Sequence, residues 1–215
     1  MFREYIRRLF WLLLGVAVSS VGIAMMLQAS VGLEPWSVLQ QGMAQRTGMT
    51  YGTASAIAGA AAILTAVFFG ESFGFGTIIN IAGCAVMIDA IQAAGLIPQM
   101  HGPVSGILLL LGGLELLALG TWLYMKSALG SGPRDALMVA LARKFNRSAG
   151  ACRAVVDVLV TVIGFFLGGP VGVGTIISAV GLGPLINLNF AAVRFRPAEV
   201  HQENVAETIR RISGN

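Results

Sequence analysis

Gly74-Phe75-Gly76-Thr77-Ile78-Ile79 and Gly172-Val173-Gly174-Thr175-Ile176-Ile177 are the same phrase written twice, 98 positions apart. The correspondence spreads outward in both directions. At that offset, and without a gap, residues 33–89 fall on 131–187. Gly32, Pro35, Leu39, Gly52, Phe68 and Gly70 meet Gly130, Pro133, Leu137, Gly150, Phe166 and Gly168. A chain rich in glycine and alanine produces chance matches, but not an ordered G-x-G-T-I-I at constant offset. Self-similarity at a fixed period marks repeated structural units. The chain therefore reads as two halves, 1–97 and 98–195, followed by a tail, 196–215.

Composition sets the solvent. Of 215 residues, 56% are hydrophobic and only 11% are charged, against about 25% charged in a soluble domain. Such a surface belongs in lipid, so the bilayer is the first expected partner. A spanning helix needs about 20 mostly apolar residues, and six segments qualify: 9–29, 51–69, 74–94, 104–127, 149–168 and 174–193. The stretches from Pro35 to Arg46 and from Pro133 to Lys144 are shorter. Twelve helical residues reach about 18 Å, too little for a hydrocarbon core of about 30 Å. Each half is therefore expected to carry one short interfacial or re-entrant helix besides three crossings.

The net charge of +4 does not imply nucleic acid, because the basic residues sit at segment ends. Arg3, Arg7 and Arg8 precede the first span. Arg134, Arg143, Lys144 and Arg147 follow the fourth, and Arg194, Arg196, Arg210 and Arg211 follow the sixth. The positive-inside rule puts these regions, and both termini, in the cytoplasm. The basic-then-apolar start resembles a signal peptide, but its apolar run is long enough to span. Three crossings per half is an odd number, so the halves insert in opposite senses. The expected fold is all-α, with six transmembrane helices as an inverted 3+3 repeat. In such architectures the solute site lies at the repeat interface.

Four groups of residues are candidates for function. In the doubled G-x-x-P element, Gly32, Pro35, Trp36 and Ser37 answer Gly130, Pro133, Arg134 and Asp135, with Glu34 opposite Gly132. Glycine permits a sharp reversal and proline suits the first helical position. The free N–H groups of the short helix then offer a polar or anion site, which Arg134 strengthens and Glu34 opposes. The plainer reading is a turn with Arg134 and Asp135 as a local pair. Arg153 and Asp157, at i and i+4, share a helix face. An acid at mid-membrane costs roughly 2.5–3.5 kcal/mol, so Asp157 marks either a pathway or a structural ion pair. Glu115, near the middle of the fourth span, needs a partner from another helix or a proton. Gly74, Gly76, Thr77 and Gly172, Gly174, Thr175 open spanning helices and lack the lysine of a phosphate loop. They are expected to allow close packing, with Thr77 and Thr175 capping their helices.

Other signals are negative. Cys84 and Cys152 lie in apolar segments without metal or disulfide spacing, and neither His101 nor His201 belongs to a catalytic or metal cluster. Asp89, near the end of its span, reads as a solvated or capping group. No cofactor, metal or enzymatic motif is expected. The tail is expected to form a cytoplasmic or surface-lying helix from Pro197, with Val200, Val205, Ile209 and Ile212 on one face, either simply solvated or in contact with a partner or lipid.

The run Gly130 to Met138, Arg153 one turn before an acid, and Leu167-Gly168-Gly169-Pro170-Val171-Gly172-Val173-Gly174-Thr175 resemble the YczE/YyaS/YitT-type bacterial membrane proteins. Gly32 through Gly42 is similar to that family's first-half pattern, G-L-G-P-W-D-V-L-H-Q-G, departing at Glu34, Ser37 and Gln40. Asp157 stands where the family more often has glutamate. The resemblance implies a small multi-pass plasma-membrane protein with transport or export activity and no firm substrate. Three readings compete: a small-solute transporter, with a homo-oligomer as an open assembly; an accessory protein supporting assembly or export by a partner; and a membrane enzyme, which lacks a nucleophile–base pair, metal cluster or cofactor motif.

Overall fold

The computed structural model describes residues 2–196 and 200–213. Among them the chain forms nine α-helices: α1 (Phe2–Gln28), α2 (Pro35–Thr47), α3 (Tyr51–Phe68), α4 (Phe75–Ala93), α5 (Pro103–Lys126), α6 (Pro133–Phe145), α7 (Ala149–Phe166), α8 (Val173–Ala192) and α9 (Val205–Ser213). Six of them, α1, α3, α4, α5, α7 and α8, are long and apolar enough to cross a membrane. The two short helices stand where the sequence puts them. The first helix starts earlier than the apolar run, at Phe2, because the basic N-terminal residues continue the helix beyond the lipid core. Phe68, Phe166, Val180 and Leu64 are exposed on the outside of the bundle, where acyl chains rather than water satisfy them.

Lipid gives helices little hydrophobic reason to associate, so close backbone contact at small residues takes over. The central seam is α1 against α5. A Cβ on Gly15 would lie 2.9 Å from the Gly120 carbonyl oxygen, and one on Gly22 only 2.5 Å from that of Gly113. The offset of 98 carries Gly15 to Gly113 and Gly22 to Gly120, so these two contacts are exchanged, not merely repeated. The short helices are exchanged as well: α2 packs on α7, and α6 packs on α3.

The turns before the short helices lock into the opposite half by the same pattern. Ser30 and Gly32 adopt positive φ of 57° and 103°, and their counterparts Ala128 and Gly130 adopt 56° and 128°. Gly174 N–H donates to the Val31 carbonyl at 2.8 Å, and Gly76 N–H donates to the Leu129 carbonyl at 2.8 Å. One locking point gathers the 170–174 turn at one end of the bundle. The other gathers the 70–74 turn, the start of α1 and the tail at the opposite end.

Two expectations need correction. Thr77 does not cap α4: its hydroxyl donates to the Ser131 carbonyl at 2.6 Å, stitching the halves together, and α4 has no side-chain cap. Thr175 does accept the Gly172 N–H at 3.1 Å. The tail does form an amphipathic helix with Arg210 and Arg211 exposed, but that helix begins only at Val205, and the tail is docked on the bundle rather than simply solvated. Pro197 and Ile212 fall outside the described residues and side chains, respectively, and Ile209 is 53% exposed. What the tail buries is polar: Glu203, at 2% exposure, takes Arg8 at 2.6 Å, Arg211 at 2.5 Å and the Tyr5 hydroxyl at 3.1 Å. A buried carboxylate answered by two cations ties the tail to the start of α1.

Candidate functional site

The two short helices direct their N-termini into the bundle because glycine and proline leave no alternative. Gly32 and Gly130 sit at φ values that side chains rarely adopt. A Cβ on Gly32 would also lie 2.5 Å from Gly172 N. Pro35 and Pro133 then start their helices with the fixed φ suited to a first turn. The residues between turn and helix are thereby delivered to the interface of the halves.

Those residues meet. Arg134 Nη1 lies 2.7 Å from Glu34 Oε1, a pair made from equivalent elements of the two halves. The arginine also stacks over Trp36, its guanidinium carbon 5.1 Å from the ring centroid, and position 36 is the counterpart of 134. Glu34 caps its own helix through Trp36 N–H at 3.4 Å and accepts the Ser37 hydroxyl at 3.0 Å. Tyr51 reaches both Ser37 Oγ, at 2.8 Å, and Gln40 Oε1, at 2.6 Å; its single proton serves one at a time. On the far side Trp36 Nε1 donates to Asp157 Oδ1 at 3.2 Å, and Asp157 Oδ2 lies 3.5 Å from Arg153 Nε. Asp135 accepts the Tyr124 hydroxyl. Hence Arg134 and Asp135 do not pair with each other; each is answered from another helix.

Beside this network lies a cavity of about 110 Å³. Trp36, Arg134, Asp135 and Arg153 line it, together with Gly132 and Pro133. Glu34 and Asp157 stand one bond behind the lining, and Ser37 stands one further back, bonded to Glu34. Glu115 is elsewhere: it accepts Asn189 Nδ2 from α8 at 2.9 Å and does not line the cavity. Asp89 accepts the Gly52 N–H at 2.7 Å, joining α4 to the start of α3. Gly74, Gly76, Gly172 and Gly174 belong to the crossed turns, as scaffold.

Sequence reasoning missed Ser19, Tyr51, Gln40, Cys84 and Tyr124. One of them matters most: Ser19, 3% exposed, lines the cavity, and its hydroxyl has no hydrogen-bond partner among the described residues. An unsatisfied buried hydroxyl costs about 1–3 kcal/mol. A serine among small residues on a spanning helix carries no sequence signal that separates it from packing. Among the described residues no three metal-ligating side chains come together. The lining itself supplies carboxylate, guanidinium, hydroxyl and indole groups around a space.

The model of a family described as one of unknown function, DUF6198, matches residues 6–190, and the chain belongs to that family. It is 31% identical to an uncharacterized protein of Haemophilus influenzae over 179 residues, 81% of this chain and 79% of that one. It is similar to the uncharacterized membrane protein YczE of Bacillus subtilis, 25% identical over 203 residues, 89% of this chain and 94% of the relative. The uncharacterized protein YyaS of the same organism is 27% identical over 184 residues, covering 81% and 88%. No solved structure matches the chain.

Proposed function

With membership of that family as the premise, we propose that the chain is a small-solute secondary transporter or exporter of the bacterial plasma membrane. Its halves insert in opposite senses with both termini in the cytoplasm, and its solute site is the cavity between the short helices. The observation that carries this is the placement of Arg134. A side chain that stays charged throughout the physiological range is delivered into a membrane bundle, paired across the halves, and left lining an open space. An intramembrane charge is costly and most often belongs to a pathway. A purely structural ion pair needs neither the adjoining cavity nor the unsatisfied Ser19 hydroxyl. The exchanged contacts of the turns and of α1 with α5 support the reading, because two alike halves meeting around one site can rock about it.

The test is solute flux in liposomes reconstituted with the full chain. Arg134→Ala alone would strand the buried Glu34, so the informative variant is Glu34→Gln with Arg134→Gln, which removes both charges. Wild-type flux with flux lost in the folded double variant supports transport through this site. Equal flux in both sinks the site. Absence of flux in the wild type together with a stably co-purifying partner favours the accessory role.

A further inference from the structure

Charge around the cavity is not balanced. Arg134 is answered by Glu34 at 2.7 Å and Arg153 by Asp157 at 3.5 Å. Among the described residues Asp135 is answered only by a neutral donor, the Tyr124 hydroxyl. Counting Asp135 in the lining and Glu34 and Asp157 one bond behind it, three carboxylates thus stand against the two guanidinium groups of Arg134 and Arg153. Asp135 stands in the first turn of α6, and the helix dipole there offers about half a positive charge, which offsets the excess only in part. A second observation is independent of charge: the buried Ser19 hydroxyl lines the cavity without a partner among the described residues.

We propose that the cavity takes a small organic ammonium compound, an amine or an amino-acid-like zwitterion, with its nitrogen at the Asp135 carboxylate. This rests on the reading of the cavity as a solute site and gives that site its substrate class. Size and lining decide against a bare metal ion. On the scale where one water needs about 10–15 Å³, a cavity of about 110 Å³ holds a solute of several heavy atoms. Ile23, Ile81, Leu117, Met138 and Leu182 line it, which suits a short carbon chain. The Trp36 and Tyr124 side chains also border it, and aromatic faces attract ammonium groups. Ser19 supplies a hydroxyl to a polar group on the solute, and the Arg134 donors not used by Glu34 suit a carboxylate when the solute is a zwitterion.

The experiment is calorimetric binding to the detergent-purified full chain, using four probes of two carbons: ethanolamine, glycine, glycolate and ethylene glycol. Ethanolamine or glycine is expected to bind, and the tighter of the two tells amine from zwitterion. Asp135→Asn is expected to weaken that binding at least ten-fold, Asp135→Glu to retain most of it, and Ser19→Ala to weaken it a few-fold. The proposal is overturned if glycolate or ethylene glycol binds as tightly as the ammonium probes. It is equally overturned if neither ammonium probe binds the wild type, or if Asp135→Asn leaves the affinity unchanged in protein whose unfolding temperature is preserved. Ammonium binding without flux would remove the transport reading and keep this one. Flux of an anion without ammonium binding would do the reverse.

Discussion

Helices α3 and α4 pack together closely, whereas α7 and α8, at the corresponding places in the second half, barely touch. The repeat makes the cause readable position by position. A Cβ on Gly52 would run into the Ala85 carbonyl oxygen, while its counterpart Gly150 has nothing within 4 Å. Asp89 ties α4 to Gly52 N–H; its counterpart, Asn187, is exposed on α8. A Cβ on Gly59 would sit 3.2 Å from Ile81; these positions become Asp157 and Ala179 in the second half. The acid that replaces glycine turns to Trp36 and Arg153 instead of packing on α8. Leu182 and Ile186 of α8 and Arg153 of α7 then border the cavity. The cavity thus draws on both halves, with Ser19, Trp36 and Gln40 from the first and Arg134, Asp135 and Arg153 from the second.

The strongest attempt to break this contrast is Gly52→Val. Its clash with backbone at Ala85 is expected to cost about 1–3 kcal/mol or more, as overpacking does, read as a fall in unfolding temperature or loss of folded protein. Gly150→Val meets no neighbour and should leave the folded protein intact. Next in size, Asp89→Ala removes an acceptor from a partly buried N–H and is expected to cost about 1–2 kcal/mol. The same measurement on Asn187→Ala should show no loss of stability, because an exposed asparagine gives way to a better helix former.

A milder asymmetry separates the two turns. The turn at Ser30–Gly32 borders an open groove with Gln41, Gln45, Gln92 and Gln99. The turn at Ala128–Gly130 is covered by the tail, through Glu203 N–H to the Ala128 carbonyl at 3.0 Å and Gly130 N–H to Gln202 at 3.2 Å. Burial pushes the Glu203 carboxyl up, but its hydrogen bond and charge interaction with Arg8 outweigh that and hold it below its usual range. A depressed carboxyl stabilises docking fully above its undocked value of about 4.3, and that stability is lost as pH falls through the lowered value. Limited proteolysis should therefore find the tail protected near neutral pH and cleaved faster in strong acid. Glu203→Gln should speed cleavage already at pH 7. The smallest effect expected is that of Gly150→Ala, within about 1 kcal/mol and stabilising in sign, because alanine is the better helix former and nothing opposes its methyl group.

What was legible in the sequence was local or periodic. The spans follow from apolar length, the short helices from Gly-x-x-Pro, and the Arg153–Asp157 pair from helical spacing. Contacts between the halves were not legible. Glu34 and Arg134 are far apart in sequence, and only the folded turns show that Arg134 answers Glu34 rather than Asp135. Thr77 looks like a cap by position, yet it reaches Ser131 because the turns cross. Tyr124 and Ser19 sit on long spanning helices without a distinguishing pattern, so their cavity face emerges only from how α1 and α5 are rotated. Nothing in the sequence sets Glu203 apart from the other charges of the tail, because its partner Arg8 comes from the other end of the chain.

Cys84 provides the most direct test of the central claim, that a pathway runs between the halves. It lines the cavity, and Cys152→Ser leaves it as the one thiol in the chain. Oriented proteoliposomes are treated with a small membrane-impermeant thiol reagent from one side and then, separately, from the other. Transport through the cavity predicts that Cys84 is labelled from both sides and that a bound solute slows labelling. A thiol unreactive from both sides, or reached from one side only under every condition, would contradict the account.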